Sequence, residues 1–523
     1  MENQRHLFES RTLSAMNKTL LKSIKDFLNI TDEELGRLVQ SAKKEKLGIL
    51  IYLKYQNRLS SSQIVTLASQ AYQLPIAPVE SSDLSFENYA FIKALYHHRL
   101  LPINANETRV FFLASDPSDN RIIETLKTQY RALPVIKLVD DDSLEGRLYS
   151  LLKTHQIKKL NQPNNNPDNL LKDFLDDLIL HASLSNISDI HIESHSEALK
   201  IRLRKDGVLF LSSRLPLHFS NPIISRLKSL AKLDITEKRL PQDGSFQMRI
   251  RSKLVEIRIS TCPTSPNEKA VLRIIHSTTT PLDIHQLGMM EEQEELFKAA
   301  INKPSGMVLV TGPTGSGKSF TLYSALQFLK NETRNIISIE DPIEIKINGI
   351  NQVAVNPKIS LSFSRLLRSI LRQDPDIIMI GEIRDKETAE IAIHAAQTGH
   401  LVFATLHTNN TIETISRLKN LSISSFNIAS TIKMIISQRL VRKTCDLCNA
   451  NGCIDCQNGY KNRTGIFEIL KINSILKEMI HNNAYSESIH LEAIKHGFIS
   501  LDEASKRYIE NNITNKQEIE RVL

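Results

Sequence analysis

Short apolar runs alternate with amphipathic stretches over the second half of the chain. Four runs have the length and composition of buried strands, at positions 307–310, 336–339, 377–380 and 401–406. Four stretches around them are compatible with helices, at positions 291–301, 320–329, 364–372 and 386–397. Apolar strands that are separated by helices predict an α/β fold, in which helices cover both faces of a parallel sheet.

The first part of the chain has a different pattern. Residues 1 to about 90 predict short amphipathic helices, and 110–114 predicts a strand. Positions 161–169 are polar, contain two prolines and lack any apolar residue, so they form the clearest linker. After the linker come a predicted helix and three stretches of strand-like alternation, at 170–184, 189–193, 200–204 and 246–259.

These patterns predict several domains, as a chain of 523 residues requires. We expect a mostly helical or α+β N-terminal domain at 1–160, a linker at 161–169, a small α+β domain at 170–285 and an α/β domain at 286–523.

Composition narrows the class of protein. Hydrophobic residues make up 41% of the chain and charged residues 24%. No apolar stretch approaches the roughly 18 residues of a membrane span, and the first residues lack the apolar core of a secretory signal. We therefore expect a cytoplasmic protein. The net charge of +8 is compatible with an anionic membrane surface or a nucleic acid, but an ordinary basic surface explains it equally well.

A complete P-loop pattern connects the first predicted strand to the following helix. Three glycines allow the backbone to point several amides at phosphate oxygens, Lys318 supplies a positive charge, and Ser319 supplies a hydroxyl for Mg²⁺. The residues of the pattern are Gly312, Pro313, Thr314, Gly315, Ser316, Gly317, Lys318 and Ser319. This pattern predicts binding of ATP or GTP with Mg²⁺.

Polar side chains follow the other predicted strands, where ligands of such a sheet bind. The segment 340–344 contains three carboxylates, Glu382 follows Gly381, and His407 follows the run 401–406. Triphosphate hydrolysis needs a metal ion, a group that orients water and a donor for the γ-phosphate. Gly381 stands where a metal-binding Asp is usual, so Glu382 is the better metal candidate. Taken singly, each carboxylate could instead cap a helix or face solvent.

In these motifs the chain resembles the secretion ATPases of type II secretion systems and type IV pili. The resemblance extends from about Ser183 to the C-terminus. Its most specific parts are the P-loop, the aspartate box Ile339-Glu-Asp-Pro-Ile-Glu344, the Walker B segment Asp374-Pro-Asp-Ile-Ile-Met-Ile-Gly-Glu-Ile-Arg-Asp385 and the histidine box Thr398-Gly-His-Leu-Val-Phe-Ala-Thr-Leu-His407.

This resemblance implies a RecA-like motor domain in a cytoplasmic homohexamer. The family hydrolyses ATP to move an inner-membrane platform protein and so assemble pilins, and no nucleic-acid partner is expected. By position, Glu344 resembles the base that orients water, Glu382 the Walker B glutamate acting on Mg²⁺, and His407 the γ-phosphate sensor. We therefore expect peripheral association with the inner membrane through partners.

The smaller domain at 170–285 resembles the second N-terminal domain of this family. The family's arginine fingers correspond to Arg258 and Arg273, and such a guanidinium stabilises charge on the γ-phosphate. The alternative is that both arginines line the solvent face of a strand. Asp189, His191 and Glu193 alternate as metal ligands can, but we interpret them as part of the family's structure.

Four of the five cysteines lie within twelve positions, as two C-x-x-C pairs at Cys445, Cys448, Cys453 and Cys456. Paired turns of this kind can surround one tetrahedral Zn²⁺. A redox dithiol or an iron–sulfur site remains an alternative. The resemblance favours zinc, because extension ATPases and their type II counterparts carry a tetracysteine insertion here, longer between the two pairs. We expect Cys262 to be an ordinary core or strand residue.

The N-terminal part and the cysteine insertion indicate the kind of motor. Retraction ATPases of the family lack both, so the chain resembles an assembly or secretion motor. Cyclic di-GMP is not predicted as a ligand, because the repeat expected for it is poorly matched around Gly48. Two other hypotheses remain: a hexameric nucleic-acid translocase with the same core, and a scaffold that binds ATP but hydrolyses it poorly.

Overall fold

The computed structural model divides the chain into two compact units, Met1–Ile275 and His276–Leu523. Within the described residues, no helix combines the length and apolar composition that a membrane crossing needs. The predicted domain boundaries remain predictions. The structure describes residues 10–45, 47–56, 58–77, 89–105, 109–118, 133–161, 167–250, 253–275, 283–446, 448–453 and 456–523.

The first unit begins with short amphipathic helices, as the sequence predicts. Thr31 and Ser60 cap two of them by accepting hydrogen bonds from backbone amides of the first turn. A three-stranded sheet follows in the order β1-β2-β3, with β2 antiparallel to β1 and parallel to β3. The elements are α1 Ser10–Leu28, α2 Asp32–Lys44, α3 Ile49–Tyr55, α4 Ser61–Tyr72, α5 Tyr89–His98, β1 Leu100–Ala105, β2 Arg109–Ala114, β3 Leu133–Leu138 and α6 Asp141–Leu160.

The rest of the first unit is a six-stranded antiparallel sheet with two helices. Its strand order is β6-β5-β4-β9-β8-β7. The elements are α7 Pro167–Leu184, β4 Ile187–Ser194, β5 Leu199–Lys205, β6 Val208–Leu215, α8 Ser220–Leu230, β7 Gln242–Ile250, β8 Lys253–Pro263 and β9 Glu268–Ile275.

Two details differ from the sequence prediction. The stretch 246–259 is not one strand but parts of β7 and β8, which pair antiparallel from Gln242↔Thr261 to Ile250↔Lys253. Helix α7 begins at Pro167, inside the predicted linker, because proline is tolerated in the first turn of a helix. Residues 162–166 of that linker lie outside the described part of the chain.

Strand β4 has one apolar and one charged face. Ile190 and Ile192 are buried in the core. On the other face, Asp189 accepts a hydrogen bond from Arg273, and Glu193 binds Arg202 through two hydrogen bonds of 2.7 and 2.8 Å. These carboxylates therefore hold cationic side chains of the neighbouring strands, which agrees with their interpretation as structural residues.

The second unit contains a seven-stranded sheet in the order β12-β11-β13-β14-β10-β15-β16. Neighbouring strands are parallel except β15 and β16, which form an antiparallel hairpin. The strands are β10 Gly306–Thr311, β11 Ile336–Glu340, β12 Asn351–Ala354, β13 Ile377–Ile380, β14 Leu401–Leu406, β15 Ile432–Thr444 and β16 Tyr460–Lys471. The predicted α/β fold with a parallel sheet is confirmed.

Helices cover this sheet and extend beyond it. The helices are α9 Glu291–Ile301, α10 Lys318–Leu329, α11 Phe363–Ile370, α12 Lys386–Gln397, α13 Thr411–Asn420, α14 Ser425–Thr431, α15 Ser474–His481, α16 Ser486–Lys495, α17 Leu501–Glu510 and α18 Lys516–Val522. Separate apolar clusters lie around the sheet, one including Ile378 and Ile393 and another including Phe297 and Tyr323. The sheet is thus buried on both faces, as the apolar strands predict.

Candidate functional site

The carboxyl ends of four parallel strands meet at one edge of the sheet. The register pairs are Thr311↔Leu406 between β10 and β14, Ile380↔Ala404 between β13 and β14, and Ile339↔Ile380 between β11 and β13. This edge therefore brings together the P-loop, the segment 340–344, Glu382 and His407. Ligands of parallel α/β sheets bind at such an edge.

Two P-loop positions require glycine. Gly312 has φ 140° and Gly317 has φ 90°, values that side chains of L-residues rarely allow. Space is also lacking, because a Cβ at Gly312 would lie 2.6 Å from the carbonyl oxygen of Gln438. A Cβ at Gly317 would lie 2.7 Å from Nε2 of the same glutamine. The loop is therefore wrapped tightly against β15.

The outer side of the loop fits a phosphate group. Within the described residues, the amides of Thr314, Gly315 and Gly317 make no hydrogen bond, and these residues precede the N-terminus of α10. Amides at a helix N-terminus attract anions. Ser319 is half-buried in the first turn of α10.

Lys318 folds back onto the loop. Its Nζ donates to the carbonyl oxygens of Gly312 at 2.8 Å and Pro313 at 3.1 Å. Burial lowers the pKa of Lys318 to about 8, and the positive charge of Arg439 adds to this effect, while Glu382 and Glu344 oppose it. Burial thus disfavours the charged form of Lys318 in the nucleotide-free loop, and a bound anion would favour that charged form.

Glu382 and His407 lie side by side next to this lysine. His407 Nε2 is 3.5 Å from Glu382 Oε2, and Arg384 is 2.5 Å from Glu382 Oε1. Burial and the charge of Lys318 lower the pKa of His407, so the imidazole is mostly neutral at pH 7. A neutral imidazole can donate one hydrogen bond and accept another.

The three carboxylates of segment 340–344 have different surroundings. Glu340 is buried, accepts hydrogen bonds from Tyr323, from Ser338 at 2.6 Å and from Gln352 at 3.0 Å, and therefore acts as a structural anchor. Asp341 is exposed. Glu344 is exposed near Lys318, and its amide donates to the Tyr323 hydroxyl at 3.4 Å.

Hydroxyl groups hold the turn after β14 to the P-loop strand. Thr311 Oγ1 is 2.6 Å from Thr408 Oγ1 and accepts a hydrogen bond from the Thr408 amide at 2.9 Å. Thr405 Oγ1 donates to the carbonyl oxygen of Gly381 at 2.5 Å. His407 lies between these two anchored threonines, so its backbone is held relative to both Gly381 and the P-loop strand.

Two acidic residues of the Walker B segment have structural roles. Asp376 accepts from the Asn335 amide at 2.6 Å at the amino end of β13, away from the site. Asp385 caps α12 by accepting from the Thr388 amide at 2.8 Å. Their placement agrees with the choice of Glu382 as the metal candidate, a role that remains a prediction.

Arg258 and Arg273 lie directly opposite each other on β8 and β9 of the first unit. Opposite residues of neighbouring strands lie on the same face of the sheet. Arg273 Nε donates to the buried Asp189 at 2.9 Å, while Arg258 lies 3.5 Å from Glu256. The side chain of Arg273 is 66% exposed and that of Arg258 is 43% exposed, so both are accessible to solvent on this face. Their part in the reaction remains a prediction.

The sequence reasoning missed several residues beside the P-loop. Tyr323 lies inside a predicted helix, where an aromatic residue indicates only a core position. Gln438 and Arg439 follow the apolar run 434–436, and the strand-end rule that identified His407 would have singled out both. They were missed because β15 and β16 were not recognised as strands.

The four clustered cysteines occupy the tip of the β15–β16 hairpin. Their sulfur atoms lie within 4.8 Å of one another, and the Cys445–Cys453 and Cys448–Cys456 pairs are both 3.7 Å apart. A tetrahedral zinc ion with Zn–S bonds of about 2.3 Å would separate its ligands by about 3.8 Å. The four thiols therefore fit one metal ion, whereas an iron–sulfur cluster would have to fit several irons and sulfides between them.

Backbone amides support a thiolate at this tip. Cys456 Sγ accepts hydrogen bonds from the amides of Cys453 and Gly459, both at 3.2 Å. Burial raises the pKa of Cys456, but hydrogen bonds from these amides and from the neighbouring thiols lower it by more. The net shift of the pKa is therefore downward. Metal ligation requires the thiolate form. Cys262, in contrast, is an exposed residue of β8, so the expectation of an ordinary core or strand residue is confirmed by its place in a strand.

A family profile described as Type II/IV secretion system protein matches residues 164–521, well over half of the chain. The chain belongs to this family. The resemblance seen in the four motifs is thus confirmed by a match that includes the small domain, the P-loop unit and the cysteine hairpin.

Relatives and solved structures are consistent with this assignment. The chain is 36% identical over 547 residues to a type IV pilus assembly ATPase PilB of Acinetobacter baylyi, covering 94% of each chain. It is 43% identical over 361 residues to the type II secretion system ATPase E of Vibrio cholerae, covering 64% of this chain and 72% of that one. The ATPase DotB of Legionella pneumophila has a similar fold, with a TM-score of 0.54 and 24% identity over 67% of this chain and 95% of that one. The prediction of an ATPase of the secretion and pilus class is confirmed.

Proposed function

We propose that this protein hydrolyses ATP to power the assembly of type IV pilus or type II secretion pseudopilus subunits. The observation that carries the proposal is the grouping of Lys318, Glu382 and His407 at one edge of the parallel sheet. Family membership supports the coupling to assembly, because the relatives are named as pilus assembly and secretion ATPases.

Each residue of the site has a proposed role in the reaction. The amides of the P-loop and Lys318 bind the phosphates, and Ser319 with Glu382 holds Mg²⁺, which supplies charge neutralisation of the phosphates when bound. Glu344 orients the attacking water as a base, since it lies exposed near Lys318. His407 donates to the γ-phosphate from the turn that is anchored to both neighbouring strands.

Arg258 and Arg273 are proposed as arginine fingers for the γ-phosphate of the bound nucleotide. Their pairing across β8 and β9 supports this role, because two guanidinium groups on one sheet face can reach the same group of oxygens. A guanidinium that arrives late stabilises charge on the transferred phosphoryl group.

The cysteine tip is proposed to hold one Zn²⁺ through Cys445, Cys448, Cys453 and Cys456. The sulfur spacing and the amides directed at Cys456 support this assignment. Such an ion would stabilise the hairpin end, because a closed site with four thiolates is structural.

The working form is proposed to be a cytoplasmic homohexamer at the inner membrane. It would act there on a platform protein, without a nucleic-acid partner. The printed names of the relatives support a place in a pilus or secretion apparatus, and the match over 94% of a pilus assembly ATPase favours an assembly motor over a single isolated domain.

Complementation tests the proposed function. A strain that lacks the protein should lose surface pili or secretion, and the wild-type gene should restore it. Lys318→Ala should fail to restore it at equal protein level, because the phosphate-binding ammonium group is removed. A deletion strain that keeps both pili and secretion would contradict the proposal, as would ATP hydrolysis that requires DNA and falls with salt.

A further inference from the structure

Strand β15 lies directly beside the P-loop strand. The two strands are parallel, with Val310 level with Ile436 and Thr311 level with Ser437. Gln438 is therefore the β15 residue that lies level with the beginning of the P-loop. It is 1% exposed, so its polar side chain is fully enclosed.

Gln438 contacts the P-loop through both its side chain and its backbone carbonyl. Its Oε1 accepts a hydrogen bond of 2.7 Å from Thr321 in the first turn of α10. Its Nε2 and its backbone carbonyl take the space that a Cβ would need at Gly317 and at Gly312. One residue of β15 thus touches the beginning of the loop, its end and the helix that follows it.

Arg439 connects the same place to two other segments. Its NH1 donates to the carbonyl oxygen of Gln438 at 3.1 Å, its NH2 to that of Asn409 at 2.9 Å and its Nε to that of Val522 at 3.2 Å. Asn409 belongs to the turn after His407, and Val522 is the last residue of α18. The guanidinium therefore holds the His407 turn and the C-terminal helix to the strand that supports the P-loop.

The charge of Arg439 is enclosed but not directly paired. Arg439 is 7% exposed, and over the described ranges its hydrogen bonds go to carbonyls and none to a carboxylate. Burial lowers its pKa, and the charges of Glu468 and Glu413 oppose this shift. A buried cation without a bound carboxylate is costly in the free protein, and an anion that binds nearby reduces that cost.

We propose that Gln438 and Arg439 are positioning residues for the nucleotide. Gln438 fixes both ends of the P-loop, and Arg439 keeps the His407 turn in register with the loop while adding positive potential beneath the phosphates. The inference rests on the proposed function, since it assumes that the P-loop binds ATP. It goes beyond it by assigning nucleotide affinity to β15, a strand outside the four sequence motifs.

Titration with a fluorescent ADP or ATP analogue tests Gln438. Gln438→Leu keeps the size of the side chain and removes the acceptor of Thr321, so we expect nucleotide to bind about tenfold more weakly, in line with the loss of one buried hydrogen bond. Thr321→Val removes the same bond from the helix side and should weaken binding in the same direction. Gln156→Leu is the control, because Gln156 is equally buried in the first unit and bound to Asp177.

Kinetics test Arg439. Arg439→Lys keeps the charge but cannot reach three carbonyls in one plane. We therefore expect its kcat to fall more than its affinity, because the His407 turn loses its anchor. Arg439→Gln removes the charge as well and should lower both. If Arg439→Lys and Arg439→Gln lowered nucleotide affinity equally, the proposed contribution of the Arg439 charge to nucleotide binding would be contradicted.

The outcomes separate this inference from the proposed function. Wild-type protein that binds no nucleotide would overturn the proposed function. Wild-type protein that binds nucleotide, with Gln438→Leu and Thr321→Val within twofold of it, would overturn the inference. If Gln438→Leu does not fold, Thr321→Val alone decides, since it leaves β15 unchanged. Folding of each variant is checked by its thermal transition without nucleotide.

Discussion

The substitution Tyr323→Phe removes one hydroxyl group and should lower both the stability of the second unit and the rate of ATP hydrolysis. The Tyr323 hydroxyl donates to the buried Glu340 and accepts from the amide of Glu344. Burial raises the pKa of Tyr323, and Glu340 and Glu344 raise it further, so the phenol stays protonated and remains a donor. The variant leaves one carboxylate oxygen and one amide without this partner.

The size of the effect follows from the charge of the acceptor. Loss of a hydrogen bond to a charged group costs about 1.5–3 kcal/mol. For a unit of this size, each kcal/mol lowers Tm by about 2–4 °C, so we expect a fall of about 3–12 °C. Ser338 and Gln352 still donate to Glu340, which keeps the loss below that of a fully unpaired buried charge.

Calorimetry of the full chain without nucleotide measures this change. Tyr485→Phe is the matched control, because Tyr485 is 85% exposed and should leave Tm unaltered. Turnover of Tyr323→Phe should also fall about tenfold, since the segment that carries Glu344 is less firmly held. A Tm within about 1 °C of the wild type would refute the reasoning.

Three further predictions concern the charges and thiols of the molecule. In the protein without nucleotide the pKa of Lys318 is about 8, and only the ammonium form of its side chain attracts phosphate. The affinity for ADP should therefore fall as pH rises through 8, and a Kd that is flat between pH 7 and 9.5 would contradict this. Elemental analysis should find one zinc per chain, and Cys448→Ser should lose most of it, whereas iron in place of zinc would disprove the assignment. Arg273→Ala should lower kcat with little change in KM, because a finger acts on charge that develops during the reaction, and an unchanged kcat would argue against a finger role.

Much of the second unit could be predicted from the sequence, because fully buried parallel strands have an unambiguous apolar pattern. The predicted bounds of β13 and β14 agree with the structure, as do those of α9 and α12. The same pattern located the catalytic edge. A run of four apolar residues is enough to locate such a strand, because a strand that is buried on both faces has no polar face to assign.

The remaining parts depend on contacts between distant residues. The alternation at 246–259 continues from β7 into β8, so periodicity alone cannot divide it. The apolar pattern does not separate Glu340 from Glu344, and only the packing of Tyr323 against Glu340 shows that Glu340 is the buried anchor. Gln438 gains its importance from parallel pairing with β10, which local sequence does not specify.

The proposed ATP hydrolysis is tested most directly by measuring ATP turnover of the wild type beside Glu344→Gln. The amide keeps the size of Glu344 but cannot act as a base, so nucleotide binding should remain while turnover falls about hundredfold. A wild type that turns over ATP, with a binding-competent and nearly inactive Glu344→Gln, is the predicted result. Equal turnover of the two proteins, whether fast or slow, would contradict the assigned mechanism.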